Sequence, residues 1–212
     1  MKYLYLDTTS NYLYTGVVEE DKLLCEHKEK FDHDLSTMAL QTIINMLEDN
    51  KLKPTDIDKI LLVNGPGSFT GCRIGITIAK VFAWTLNKSI SLVSSLEAMA
   101  LVDDEYDYHV PVLDARRDFV FGGIYDKDNN SIMQDQYVKK FVLETAISNM
   151  SDNYVFITND SIELNGKVKS YDPDILKIVL KYKDRESVNP HSIDANYLKL
   201  TEAEENLNDK KC

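Results

Sequence analysis

Two aspartates and a cluster of glycines are the residues in this sequence whose types and spacing suit chemistry. Asp7, in LDTTS, and Asp114, in LDARR, each close a short apolar stretch. A carboxylate at a strand end can act as a general base or bridge a metal to a phosphate, and Thr8 and Thr9 add hydroxyl donors beside the first. The segment NGPGSFTGCRIG, Asn64 to Gly75, holds Gly65, Gly67, Gly71 and Gly75, four of the eight glycines in the chain. Such a segment either cradles phosphates with its backbone N–H groups or lets two pieces of backbone come close.

The spacing G-x-G-x-x-x-G matches neither the dinucleotide fingerprint nor GxxxxGK[ST], and Cys72 and Arg73 follow Gly71 where a phosphate loop places lysine. Gly71, Gly75, Ala79 and Ala83 instead recur every fourth residue, one row of minimal side chains along a helix. Ile74, Ile76, Ile78, Val81, Phe82, Trp84 and Leu86 surround that row, and Lys80 is the only charge between Ile74 and Leu86. A helix apolar on nearly every side must be covered on nearly every side. Its glycines cost roughly 1 kcal/mol each against alanine, which close packing can offset. The pattern predicts an association surface shared with the preceding helix. Its members would be Leu35, Met38, Ala39, Thr42, Ile43 and Met46 from the first helix, and Gly71, Arg73, Ile74, Gly75, Ile78, Ala79 and Phe82 from the second.

The elements that must position these groups follow from periodicity. Alternation in Tyr3–Leu6, Tyr12–Val18 and Lys22–Phe31 predicts three antiparallel strands, with EEDK as a hairpin turn. Asp34 can cap a helix carrying Leu35, Met38, Ala39, Ile43, Met46 and Leu47 on one face, widened by Leu40 and Ile44. A buried strand at Lys59–Val63, a helix over Thr70–Leu86, a strand at Ile90–Val93 and a helix around Leu96–Val102 complete a βββαβαβα order, which predicts a mixed sheet flanked by helices.

The second half repeats the first. YLDTTSNYLYTGVV from Tyr5 lies over VLDARRDFVFGGIY from Val112 without gaps, so that Asp7 meets Asp114 and Gly16 meets Gly123. Further strands at Ile132–Val138 and Tyr154–Ile157 and helices at Val142–Met150 and Asp174–Lys181 fit a second lobe. The expected division is a first lobe over 1–102, a second over 103–205 entered through the acidic VDDEYDY, and a frayed tail over 206–212.

The formal charge of −11 repels phosphate backbones, so direct nucleic-acid binding by this chain alone is not expected. Cys25, Cys72 and Cys212 show no CxxC spacing, and His27, His33, His109 and His191 contain no i,i+4 pair, so no metal site is expected. No apolar run reaches the length of a membrane span or signal, and a reducing cytoplasm is the expected location.

The motifs LDTTSN, GPGSFTGCRIG, SSLEAMA and LDARRDFVFGGIY, in that order and spacing, resemble the TsaB (YeaZ) family, a subunit of the bacterial machinery that makes threonylcarbamoyladenosine in tRNA. Cys72 stands where that family usually has leucine, HD at His33-Asp34 where it often has His-Ser, and ANYLKL departs from its Pro-x-Tyr-Leu-Arg at Ala195 and Lys199. The resemblance implies a two-lobed, actin-like α/β fold (ribonuclease H-like, shared with sugar kinases). It also implies a non-catalytic scaffold with no cofactor, pairing with the catalytic relative TsaD or with a second copy of itself and recruiting the ATPase TsaE. The tRNA would be met only indirectly, through the complex. Where TsaD carries a metal-binding His-x-x-x-His, this sequence has Ser95 and Met99, which cannot replace two imidazoles. The rival reading is an independent ATPase or kinase using Asp7, Thr8, Thr9 and Asp114 in a cleft. Against it, Gly166 is the only glycine after Gly123, too few for a glycine-rich adenosine turn.

Overall fold

The computed structural model describes residues 1–31, 33–102 and 105–199. The chain opens with an antiparallel meander, β1 (Lys2–Asp7), β2 (Tyr12–Glu19) and β3 (Lys22–Lys30). Helix α1 (Leu35–Asp49) then crosses to β4 (Lys59–Val63), α2 (Phe69–Leu86) to β5 (Ser89–Val93), and the short α3 (Ser95–Met99) follows. The sheet order is β3-β2-β1-β4-β5, with β4 and β5 parallel to β1. Every residue of β4, KILLV, is buried because helices cover both faces of the parallel part.

The second lobe has the same wiring. Strands β6 (Tyr108–Asp114), β7 (Phe119–Asp126) and β8 (Ser131–Lys139) form its meander, α4 (Lys140–Ser148) crosses to β9 (Tyr154–Ile157), and β10 (Val168–Lys169) closes the order β8-β7-β6-β9-β10. Two sheets with one connectivity are the two lobes of an actin-like fold. The register carries one correction to the ungapped repeat. Tyr5 pairs with Gly16, but Val112 pairs with Gly122, so the second hairpin is one residue shorter and Gly122, not Gly123, is the counterpart of Gly16.

After β10 the described chain leaves the second lobe. Helix α5 (Ile175–Tyr182) returns to the first sheet, where Ile175, Ile178, Val179 and Tyr182 join Tyr3, Tyr5, Tyr14, Val18, Leu61 and Val63 in one core cluster. Beyond it Val188 bridges to Ile90, Ile193 enters the core beneath α1 and α2, and the Asn196 N–H donates to the Asn64 carbonyl at 2.9 Å. A division at 102/103 therefore separates α5 and the segment after it from the sheet they cover. The expected tail, 206–212, lies outside the described residues, as do Asp103 and Asp104 of the expected linker.

Polar bonds tie this returning segment to the first lobe and the first lobe to the second. The Arg185 guanidinium donates to both oxygens of Glu97 at 2.6 and 2.9 Å and lies 4.3 Å from the centre of the Tyr182 ring. Asp135 of the second lobe accepts from the hydroxyls of Ser94 and Tyr125. Two smaller expectations change: α3 stops at Met99 rather than reaching Val102, and Asp34 occupies the N-cap of α1 without a side-chain cap bond.

Candidate functional site

Asp7 ends β1 inside the cleft between the lobes. It is only 4% exposed. Its Oδ1 accepts the Thr9 N–H at 2.8 Å and the Thr9 hydroxyl at 2.7 Å, and the Tyr5 hydroxyl lies 3.5 Å from Oδ2. Burial pushes its carboxyl above the usual range, while the Thr9 and Tyr5 donors pull the other way. These donors fold Asp7-Thr8-Thr9 into a side-chain-stabilised turn. A cavity of about 410 Å³ opens beside it, walled by Tyr12, Tyr14 and Tyr171 and edged by Lys30 and Asn159.

Asp114 lines a second cavity of about 520 Å³ with Ser68, Thr70, Arg116 and Asp160. Its Oδ1 accepts the Arg116 N–H at 2.8 Å, and its own N–H donates to Asp160 at 2.7 Å. The two aspartates thus line adjoining cavities that share Thr9, Ser10, Asn11, Leu113 and Asp160. Among the described residues there is no group of three or more His, Cys, Asp or Glu that could hold a metal.

The glycine segment is folded onto the first of these turns. The Ser68 N–H donates to the Thr9 carbonyl at 2.6 Å, and the Thr8 hydroxyl to the Gly71 carbonyl at 2.8 Å. A Cβ on Gly71 would run into the Thr8 carbonyl, and one on Gly75 would sit 2.5 Å from the Thr8 Oγ1. The close approach that the small-residue row announces is therefore made inside the monomer, between α2 and the β1–β2 turn. Gly71, Gly75, Ala79 and Phe82 are all buried in the chain itself, together with Ile78. On α1 the same holds for Leu35, Ala39, Thr42, Ile43 and Met46. Of the thirteen residues expected at an association surface, Met38 and Arg73 are exposed and Ile74 is half-buried.

A different row of α2 faces outward. Phe69, Arg73, Thr77 and Val81 also recur every fourth residue, and Phe69 is 53%, Val81 50% and Trp84 78% exposed. Phe69, Arg73 and Thr77 of this row border, with Leu40 and Ser36 of α1, a groove of about 460 Å³ floored by Ile74 and Ile78. Arg73 lies 3.7 Å over the Phe69 ring and its Nε donates to the Tyr197 hydroxyl at 3.1 Å. Trp84 meets His191 edge-on at 6.1 Å. The signal for these positions was in the sequence, because a helix apolar on all sides has a bulky row as well as a small one. Bulk beside a sheet costs more than bulk facing out, so the small row turns inward.

Residues 29–160 match the family model for TsaD, tRNA N6-adenosine threonylcarbamoyltransferase. The chain is 31% identical to the tRNA threonylcarbamoyladenosine biosynthesis protein TsaB of Bacillus subtilis, over 96% of each chain. The Escherichia coli protein of the same name is 27% identical over 74% of this chain and 71% of its own. Among solved structures, YeaZ from Pseudomonas aeruginosa superposes with a TM-score of 0.75 at 18% identity, covering 93% of this chain and 99% of that one. A second structure from that organism, described as similar to the peptidase YeaZ, gives a TM-score of 0.79 at 19% identity with the same coverage.

Proposed function

The chain belongs to the TsaB family and acts in the formation of threonylcarbamoyladenosine in tRNA, and we propose that it does so as a non-catalytic docking subunit. The observation that carries this reading is the outward row of α2 with its groove against α1. Phe69 stands exposed at an apolar groove, Val81 and Trp84 expose large apolar groups further along the same helix, and such a patch is what a partner covers. The partner is a TsaD-like catalytic subunit, presenting an equivalent helix pair; in its absence a second copy of this chain takes the place. A TsaE-like ATPase is recruited to the same assembly. The interface of the proposal lies on Leu40, Phe69, Arg73, Ile74, Thr77 and Trp84, displaced by one helical face from the row expected from sequence.

The cleft supports the same assignment. In its first turn the Thr9 N–H is taken by Asp7 and the Thr8 hydroxyl by the Gly71 carbonyl, while the Ser68 N–H is spent on the Thr9 carbonyl, so these donors are already engaged within the protein. An independent ATPase would need them free.

The test is a pair of outward charges, Leu40→Glu with Ile74→Arg, in the otherwise unaltered chain. Both positions are at least partly exposed, so the monomer keeps its thermal transition while affinity for the TsaD subunit falls at least about 100-fold by calorimetry. Undiminished affinity in a folded variant removes this face from the interface.

A further inference from the structure

The chain has four arginines, Arg73, Arg116, Arg117 and Arg185. Arg185 is taken up by Glu97, and Arg73 lies against Phe69 and Tyr197. Arg116 and Arg117 stand exposed side by side in the β6–β7 turn, and neither guanidinium has an ion pair or hydrogen bond among the described residues. In a chain of net charge −11, two adjacent unpaired guanidiniums are the exception to be explained.

They are not isolated. Lys139 lies opposite Phe119 in the β7–β8 register, and the Lys140 N–H donates to the Asp118 carbonyl at 2.8 Å, which brings both lysines to the base of the turn. The Lys140 ammonium is held by the Glu163 carbonyl, not by a carboxylate. Phe119 stacks on Tyr137 at 4.6 Å, and the Lys199 ammonium sits 5.4 Å over the Tyr137 ring. The acidic neighbours Asp114 and Asp160 each spend an oxygen on a backbone N–H of this corner, those of Arg116 and Asp114 respectively; Asp118 is the third carboxylate there. Arg116 also borders the cavity that Ser68 and Thr70 of the α2 N-terminus line, so the basic corner continues toward the rim of the α1–α2 groove.

We infer that the β6–β7 turn, with Arg116, Arg117, Lys139, Lys140 and Lys199, is a contact surface for the phosphate backbone of the tRNA being modified. This rests on the docking role proposed above and deepens it: the chain touches the RNA directly once a partner has brought it near. Guanidinium forks match phosphate oxygens, and stacked aromatics beside cations suit ribose and base. The acidity of the remaining surface keeps RNA off other faces, so a weak local patch orients the RNA without binding it unaided.

The experiment uses the complex of the full chain with the TsaD subunit of the same organism and unmodified transcript of a substrate tRNA, with affinity measured across a salt series. The double variant Arg116→Asn/Arg117→Asn keeps residues that tolerate left-handed backbone. It is expected to assemble normally, to bind tRNA about 10-fold more weakly, and to lower the slope of log K against log salt by about 1.5, as loss of two phosphate contacts requires. Lys139→Gln, on an exposed strand position, should lower the slope by about half as much and carries the test if the double variant does not fold. An unchanged slope in a folded variant overturns the inference. So does weakened assembly with unchanged tRNA affinity, which would make the corner a protein contact. Failure of the wild-type chain to assemble overturns the docking role itself, and this inference with it.

Discussion

The turns that end β1 and β6 hold the same place in the two lobes and have opposite environments. Thr8 and Thr9 are buried, their oxygens bonded to the glycine segment, and Asp7 is desolvated beneath them. Arg116, Arg117 and Asp118 are exposed and take consecutive left-handed conformations at φ 67°, 54° and 62°. One residue fewer in the second hairpin forces that tight backbone, and the open cavity before it leaves the side chains in water. The same architecture therefore occurs twice, while the neighbours of each turn decide what it can do. The first became part of the core; the second stayed available to a partner.

The largest effect expected from testing this contrast is at Gly75. A leucine there must displace Thr8 from beneath α2, at a cost of at least about 4 kcal/mol, much of the stability of an ordinary domain. Urea unfolding should show a lost or strongly shifted transition. A variant that stays folded and only fails to associate would return the small-residue row to the interface and erase the contrast.

A smaller change is expected in the other turn. Asp118→Gly relieves a left-handed residue at the expense of a more flexible unfolded chain, a net gain of about 0.5–1 kcal/mol. That gain should read as a melting temperature about 2 °C higher. A lower melting temperature would mean that the Asp118 side chain holds the turn.

The smallest is a pH effect at Asp7. Its folded pKa lies above the unfolded value, so its neutral form favours the native state, and that contribution is lost as pH rises from the unfolded pKa through the folded one. Asp7→Asn should melt no lower than wild type at neutral pH, with the difference closing as pH falls toward the ordinary aspartate range. A variant much less stable at neutral pH would show that the carboxylate charge is used by the Thr9 donors after all.

Much of this was legible from the residues. The alternation of β1 to β3, the unbroken apolar β4 and the repeat of LDTTSN in LDARRD carry the wiring of both lobes, because periods of two and four report which side is covered. The orientation of α2 was not legible. Both its small row and its bulky row repeat every fourth residue, and only the Thr8 contact shows which one faces the sheet. The return of α5 to the first sheet was hidden for another reason: the strong amphipathic pattern of Ile175–Tyr182 marks a face to be buried without saying against what. The basic corner was obscured by net charge, an average that says nothing of where Arg116 and Lys139 meet.

The homecoming of α5 matters while the protein is being made. A ribosome delivers β1, β2 and β4 long before residues 175–182, which cap the side of the sheet bearing Tyr3, Tyr5, Val18 and Leu61. Until then the nascent first half carries a bare aromatic sheet, and no cut after α3 yields a self-sufficient fragment. Synthesis must therefore run past α5 before the first half can settle.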